Sequence, residues 1–250
     1  MVKLFFNEYN LKARCIPVII ACFPILALLA SFLDLNKFLI ANSIVVIIFS
    51  VIIIFLLSLY ARSKGKQLEK DLVKEWNGWP TTRFLRHGDQ TINKIEKQKI
   101  YQIIKENLTD KIPTEDEEKN SPEEADKQYN IIVNTLRMKT RGEEYYILLY
   151  ENISYGFFRN SFALKKISLS ISIFIMIGLF IMFFQNNPYH FCDFKNFISY
   201  LFIVKLSFNL TFILTIMMFF YWCFAITKKN VKKYADRYAL ALINTVYQIW

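Results

Sequence analysis

Four long apolar runs, two on either side of a charged middle, constrain this chain more than any other feature. Ile16–Leu33, Phe38–Tyr60, Ile167–Phe184 and Tyr200–Ile226 each approach or exceed the roughly 20 apolar residues that a helix needs to cross a hydrocarbon core. Backbone groups in that environment must satisfy one another, so runs of this length predict helices. With 54% hydrophobic residues and a mean hydropathy of +0.25, the chain is too apolar for an average soluble domain. Its middle is too charged for a simple membrane bundle. The expected fold class is an all-α membrane protein, with four transmembrane helices in two hairpins and a mostly helical cytosolic domain inserted between spans two and three. The divisions expected are 1–60 for the N-terminal segment and first hairpin, 61–166 for the cytosolic domain, 167–226 for the second hairpin, and 227–250 for an amphipathic C-terminal helix.

Charge sets the expected orientation. The net charge of +10 concentrates at the borders of the runs: Lys12 and Arg14 before the first, Arg62, Lys64 and Lys66 after the second, Lys165 and Lys166 before the third, and Lys228, Lys229, Lys232 and Lys233 after the fourth. Lys and Arg accumulate in short cytoplasmic segments. Both termini and the middle domain are therefore expected inside, with only Asp34–Lys37 and Gln185–Ser199 facing out. The first run is read as a retained span, because the second begins four residues later with no small-residue cleavage site between them. The Ile, Phe, Asn and Lys bias points to a low-GC genome, and a bacterial inner membrane is the location that fits best.

Along the middle, a helix is expected to run on from Tyr60 to Glu75 and to end at Trp76-Asn77-Gly78-Trp79-Pro80, with Thr81 or Thr82 capping the next element. A second helix is expected over Thr91–Asn107 and a third from Ser121-Pro122 to about Thr140, burying Ala125, Tyr129, Ile132, Val133 and Leu136. Thr109–Pro122, with its acidic run Glu115–Glu118, reads as a solvated loop disordered at its centre. Tyr145–Tyr150 reads as a strand or, better, as a helix leading into the third span. Val231–Trp250 has Tyr234, Tyr238, Leu242 and Ile249 near one face, suiting an interfacial helix, a coiled-coil tail or part of the cytosolic core.

Chemistry is sparse. Pro80-Thr81-Thr82-Arg83-Phe84-Leu85-Arg86-His87-Gly88-Asp89, beside Trp76 and Trp79, is the densest stretch: an anion-binding or base-stacking lip, or a turn whose arginines pair with Glu75, Asp89 or lipid phosphate. Arg137, Lys139 and Arg141, with Glu151, Asn152, Tyr155, Arg159 and Asn160, form a second cluster among aromatics, either a buried hydrogen-bond network or a ligand pocket. If Arg83 and Arg86 converge with Arg137, Arg141 and Arg159, the five guanidinium groups need anions. A nucleotide or oligonucleotide phosphate is one source, and the domain's carboxylates are another. His87 and His190, the only histidines, are expected on opposite sides of the membrane and so cannot share a metal. No metal site, cofactor motif or catalytic signature is visible, which argues against an enzyme. Within the spans, Lys205 is close enough to a helix end to snorkel, and Ser168, Ser172, Ser207, Thr211 and Thr215 recur at helical spacing. Such hydroxyls glue helices together or, in an oligomer, line a pore.

Four segments carry a resemblance: Trp76-Asn77-Gly78-Trp79-Pro80-Thr81-Thr82-Arg83-Phe84-Leu85-Arg86-His87, the acidic Pro113–Glu118 loop, the Ala125-Asp126-x-x-Tyr129 step, and Glu151–Asn160. Together they resemble a group of bacterial membrane proteins, some of which look like transmembrane effectors of anti-phage defence operons of the Hailong type, encoded beside a nucleotidyltransferase. The resemblance covers the cytosolic half more than the spans. It implies a homo-oligomeric, channel-like protein in the lipid bilayer, gated by a nucleotide or short nucleic acid made by the neighbouring enzyme. The alternative is a non-conducting scaffold or sensor that recruits a cytosolic partner through the acidic loop and the tail.

Overall fold

The computed structural model describes residues 7–32, 40–109, 111–186 and 206–250. Among the described residues every regular element is helical. They fall into two compact units: an apolar one formed by Met1–Gly65 and Phe157–Thr227, and a polar one formed by Lys66–Gly156 and Lys228–Trp250.

Among the described residues three helices are long and apolar enough to cross a membrane: Glu8–Ser31, Tyr146–Phe183, whose first turns belong to the polar unit, and Leu206–Phe224. The other expected span, Phe38–Tyr60, begins outside the described residues, as do the Tyr200 end of the last run, Lys205 and His190. The first stretch starts with a single turn, Glu8–Asn10, whose cap Asn7 accepts from the Asn10 N–H at 2.8 Å. A π turn, Leu11–Cys15, comes next, and then α1, Ile16–Phe32, with Pro24 inside it. The sequence pattern places the start of this helix at Pro17. Helix in fact precedes Pro17, and the carbonyl that the missing proline N–H leaves open at Ala13 accepts the side-chain amide of Asn160 at 2.6 Å.

α2 runs from Ile40 to Glu75, so helix does continue past Tyr60. The helix Tyr146–Asn186, labelled α7, enters the unit at Phe157, and α8, Leu206–Phe224, completes it. Val18, Ala21, Ala61, Leu164, Trp222 and Ile226 form its largest buried cluster. Lys165 Nζ donates to the carbonyls of Cys223 and Ile226, at 3.1 and 2.8 Å, and satisfies backbone acceptors where α8 ends. Phe174 and Phe224 are 75% and 74% exposed. Such a surface is a liability in water and ordinary against lipid tails.

The polar unit is built on short amphipathic helices. α2 ends in a Schellman turn, in which Asn77 N–H bonds to Lys74 O and Gly78 N–H to Val73 O. Asn77 and Gly78 both take positive φ, 60° and 115°. α3 (Pro80–Arg83) has Trp79 as its cap residue. Neither Thr81 nor Thr82 caps it as expected, and Thr82 instead donates to Asn130 Oδ1 at 2.9 Å. α4 spans Lys94–Asn107, capped by Asn93, and buries Ile100 and Ile104, while Ile95 faces outward. α5 (Glu115–Asn120) replaces the expected disordered loop. Thr114 and Glu117 form a reciprocal capping box there, and the acids of its first turn suit a helix N-terminus.

α6 (Pro122–Lys139) buries all five residues expected of it. After a 3₁₀ turn, Glu143–Tyr145, α7 runs from Tyr146 to Asn186, so Tyr145–Tyr150 is no strand. α9 (Lys228–Asn244) and α10 (Val246–Ile249) join the core of this unit. Residues 228–250 thus belong to the polar unit's compact body. The face α9 buries is Val231, Ala235, Ala239, Leu242 and Ile243. The sequence pattern favours Tyr234 and Tyr238, because large aromatics dominate an apolar count, whereas alanines let helices approach closely.

Candidate functional site

The turn that is densest in chemistry is closed upon itself. Arg86 grips Asp126 with two bonds, Nε to Oδ1 at 2.8 Å and Nη2 to Oδ2 at 2.6 Å, and donates from Nη1 to Asn77 O at 2.8 Å. The bond to Asp126 holds its guanidinium above the ordinary arginine range. Gly78 permits this approach, because a Cβ there would sit 2.8 Å from Arg86 Nη2. Arg83 donates to Trp76 O at 3.0 Å and pairs with Asp89 at 3.1 Å and Asp236 at 3.5 Å. Burial pushes the Asp236 carboxyl up against the opposing pull of Arg83.

His87 Nε2 lies 2.8 Å from Pro113 O. A carbonyl only accepts, so that nitrogen carries the proton. The backbone N–H groups of His87 and Gly88 both donate to Glu118, as does Tyr129 OH. From α4, Tyr101 OH donates to Leu85 O, and Lys97 Nζ to the carbonyls of Arg86 and Asp89. Desolvation lowers the Lys97 ammonium and raises the Tyr101 phenol to about 12. Arg83, Arg86 and His87 are therefore committed to internal partners, and the turn is a hub that joins α2, α4, α5, α6 and α9.

Arg137 and Arg141 behave differently. Both are exposed and, among the described residues, neither forms an ion pair. Arg137 reaches only Asn134 Oδ1 and Thr81 Oγ1, each at 3.5 Å. The two arginines line one cavity of about 340 Å³ with Thr140, Gly142, Tyr145, Asn152 and Tyr238. Small-molecule sites run from about 300 to 1,000 Å³. The exposed Glu144 carboxylate folds over Gly142, where a Cβ would fit only if that side chain swung aside. Tyr238 stacks on Tyr155 with centroids 6.3 Å apart and planes 10° from parallel, so its ring is held in place. The cavity thus combines two guanidinium groups, an amide and two phenol rings, a set suited to a phosphate attached to a flat, polar ring system.

Sequence reasoning placed Arg137, Arg141 and Asn152 in one cluster. It missed Tyr145 and Tyr238 as their companions, since nothing in local spacing brings residue 238 to residue 141. It also missed a hollow of about 690 Å³ along α4, lined by His87, Gln98, Tyr101 and Glu115 among others. Opposite charges alternate there, as Lys94 with Glu115 and Lys97 with Asp89, so it does not single out an anion.

Arg159 and Asn160 belong to the apolar unit, and neither lines the arginine cavity. Both are buried, and Asn160 is spent on Ala13. The hydroxyls expected to line a pore are likewise turned inward. Ser168 and Ser172 are wholly buried and donate to the carbonyls of Leu164 and Ser168 within their own helix. Thr211 and Thr215 donate to Ser207 O and Thr211 O in the same manner. Thr211 Oγ1 also lies 2.8 Å from Ser31 Oγ, and Ser31 donates to Ser207 O, which ties α1 to α8. Within one chain these hydroxyls act as glue, and Lys205 lies outside the described residues. Among the described residues no cluster of His, Cys, Asp or Glu is arranged to hold a metal. The chain matches no protein-family model, no curated protein and no solved structure.

Proposed function

We propose that this chain is a bacterial inner-membrane effector of anti-phage defence, a homo-oligomer whose cytosolic domain binds a nucleotide or short oligonucleotide and thereby permeabilises the membrane. The observation that carries this reading is the pairing of Arg137 with Arg141 in a cavity that offers rings and an amide beside two unpaired cations. Leu148, Leu149 and Asn152 of that cavity lie in the first turns of α7, which continues unbroken to Asn186 through an apolar stretch long enough to span a membrane. A ligand that orders the start of α7 acts on the same helix that meets the lipid. A pore needs several copies, because the hydroxyls of one chain are already bonded internally.

Binding is tested on the detergent-purified protein with a panel of mononucleotides, cyclic dinucleotides and short oligonucleotides, read by thermal shift. One member of the panel should raise the melting temperature, and Arg137→Ala or Arg141→Ala should abolish the rise. A panel without effect on the wild type would contradict the reading.

A second reading, a scaffold that recruits a soluble partner, draws on the exposed Tyr146, Ile147 and Tyr150 at 69%, 52% and 60%. Co-purification of a partner that survives Arg137→Ala and Arg141→Ala would favour it.

A further inference from the structure

We infer that the ion pair between Glu151 and Arg237 holds the walls of the Arg137–Arg141 cavity together, which, on the reading of that cavity as a ligand site, makes them positioning residues for its ligand. The walls come from different elements of the polar unit. α6 and the connection after it supply the arginines, α7 supplies Leu148, Leu149 and Asn152, and α9 supplies Tyr238. Glu151 stands next to Asn152 on α7, and Arg237 next to Tyr238 on α9. Arg237 Nη2 donates to Glu151 Oε1 at 2.6 Å, so the bond joins the two helices where both line the cavity. Neither residue lines the cavity itself.

A second contact at this level is made of rings. Tyr155, one turn on from Glu151, stacks on Tyr238 and donates its hydroxyl to Glu69 of α2, which anchors the stack on a third helix. The ion pair is built differently, because one end is wet and the other dry. The Arg237 side chain is 47% exposed and lies over the Tyr234 ring at 5.5 Å, whereas that of Glu151 is only 10% exposed. Glu151 Oε2 is buried without a hydrogen-bond partner, so the compensation of this carboxylate among the described residues falls to Arg237. Ion pairs exposed at both ends contribute little. Removing the wet partner here strands a buried charge. Its relief is to turn Glu151 towards water, which displaces Asn152 and loosens α7 from α9. The other ion pair of α9, Asp236 with Arg83 at 3.5 Å, belongs to the hub turn, and neither of its residues lines the cavity.

Hydrogen exchange and pyrophosphate binding, both on the detergent-purified whole chain, test this. Arg237→Gln should raise amide exchange over residues 146–156 about tenfold and weaken pyrophosphate binding by about the same factor, as loss of a half-buried charge pair does. Arg237→Lys keeps a cation at the dry carboxylate and should stay within about threefold of wild type in both measurements. Asp236→Asn removes an ion pair of the same helix elsewhere, and should leave exchange over 146–156 and pyrophosphate affinity within about twofold. Unchanged exchange over 146–156 in Arg237→Gln overturns the proposal. So does raised exchange with undiminished affinity, or an equal loss of affinity in Asp236→Asn. Wild-type protein that takes up no pyrophosphate contradicts the ligand reading of the cavity instead, and the exchange comparison still decides whether the pair holds its walls.

Discussion

Asn160 donates its side-chain amide to the backbone carbonyl of Ala13 across 147 positions of sequence, at 2.6 Å and fully buried. Pro17 is the reason that carbonyl needs a partner, because residue 17 would ordinarily donate to residue 13 in a helix and proline has no N–H. The bond therefore repairs the first helix and joins it to α7 in one contact.

Asn160→Leu should destabilise the protein by about 1–3 kcal/mol, the usual cost of leaving a buried acceptor unmet. Pro17→Ala restores a backbone donor to Ala13, so the double variant should recover about 1 kcal/mol of that loss. Denaturation of the single and double variants in detergent measures the coupling. Strict additivity would mean that Asn160 does not compensate for Pro17.

Gly65 faces the same residue. In an ordinary helix Gly→Ala gains about 1 kcal/mol. Here the new Cβ would sit 2.9 Å from Asn160 Oδ1, whose side chain is already anchored. Gly65→Ala should therefore lower stability, by about 1–3 kcal/mol as an overpacked site does. A melting temperature above wild type would show that Asn160 yields easily.

Arg86 and Asp126 meet through two parallel bonds. Lysine cannot reproduce that fork, so Arg86→Lys should cost about 1–3 kcal/mol despite keeping the charge. Nucleotide affinity should stay within about twofold of wild type, since Arg86 does not line the arginine cavity. A large affinity loss with unchanged stability would return Arg86 to the ligand site.

Tyr101 carries an alkaline signature. Its phenol is raised by burial from 10.0 to about 12, so the unfolded chain releases the proton first as pH climbs. The stabilisation is complete below pH 10 and is lost as pH rises towards about 12. Tyr101→Phe should be less stable at neutral pH by about 1 kcal/mol, through loss of the bond to Leu85 O, and should show a shallower decline over that window. Parallel pH curves for the two proteins would contradict this assignment.

Where the sequence was legible, local rules sufficed. The i, i+4, i+7 pattern of Ala125, Tyr129 and Ile132 chose the buried face of α6, and Asn77-Gly78 ended α2. The acidic run reads as a loop in sequence because its charge outweighs the capping box of Thr114 and Glu117. The arginines were harder to place. Arg86 and Arg141 look alike in sequence, yet one meets Asp126, 40 positions away, and the other meets no carboxylate among the described residues. Only tertiary placement separates a structural cation from one free to take a ligand.

In the proposed function, a ligand on Arg137 and Arg141 opens the membrane. The most direct measurement is ion or dye release from vesicles containing the purified protein, before and after the nucleotide that shifts its melting temperature. Release should accompany addition of that nucleotide and be lost in Arg137→Ala and Arg141→Ala reconstituted to the same density. Folded, reconstituted wild-type protein that stays silent with and without the nucleotide would contradict the account.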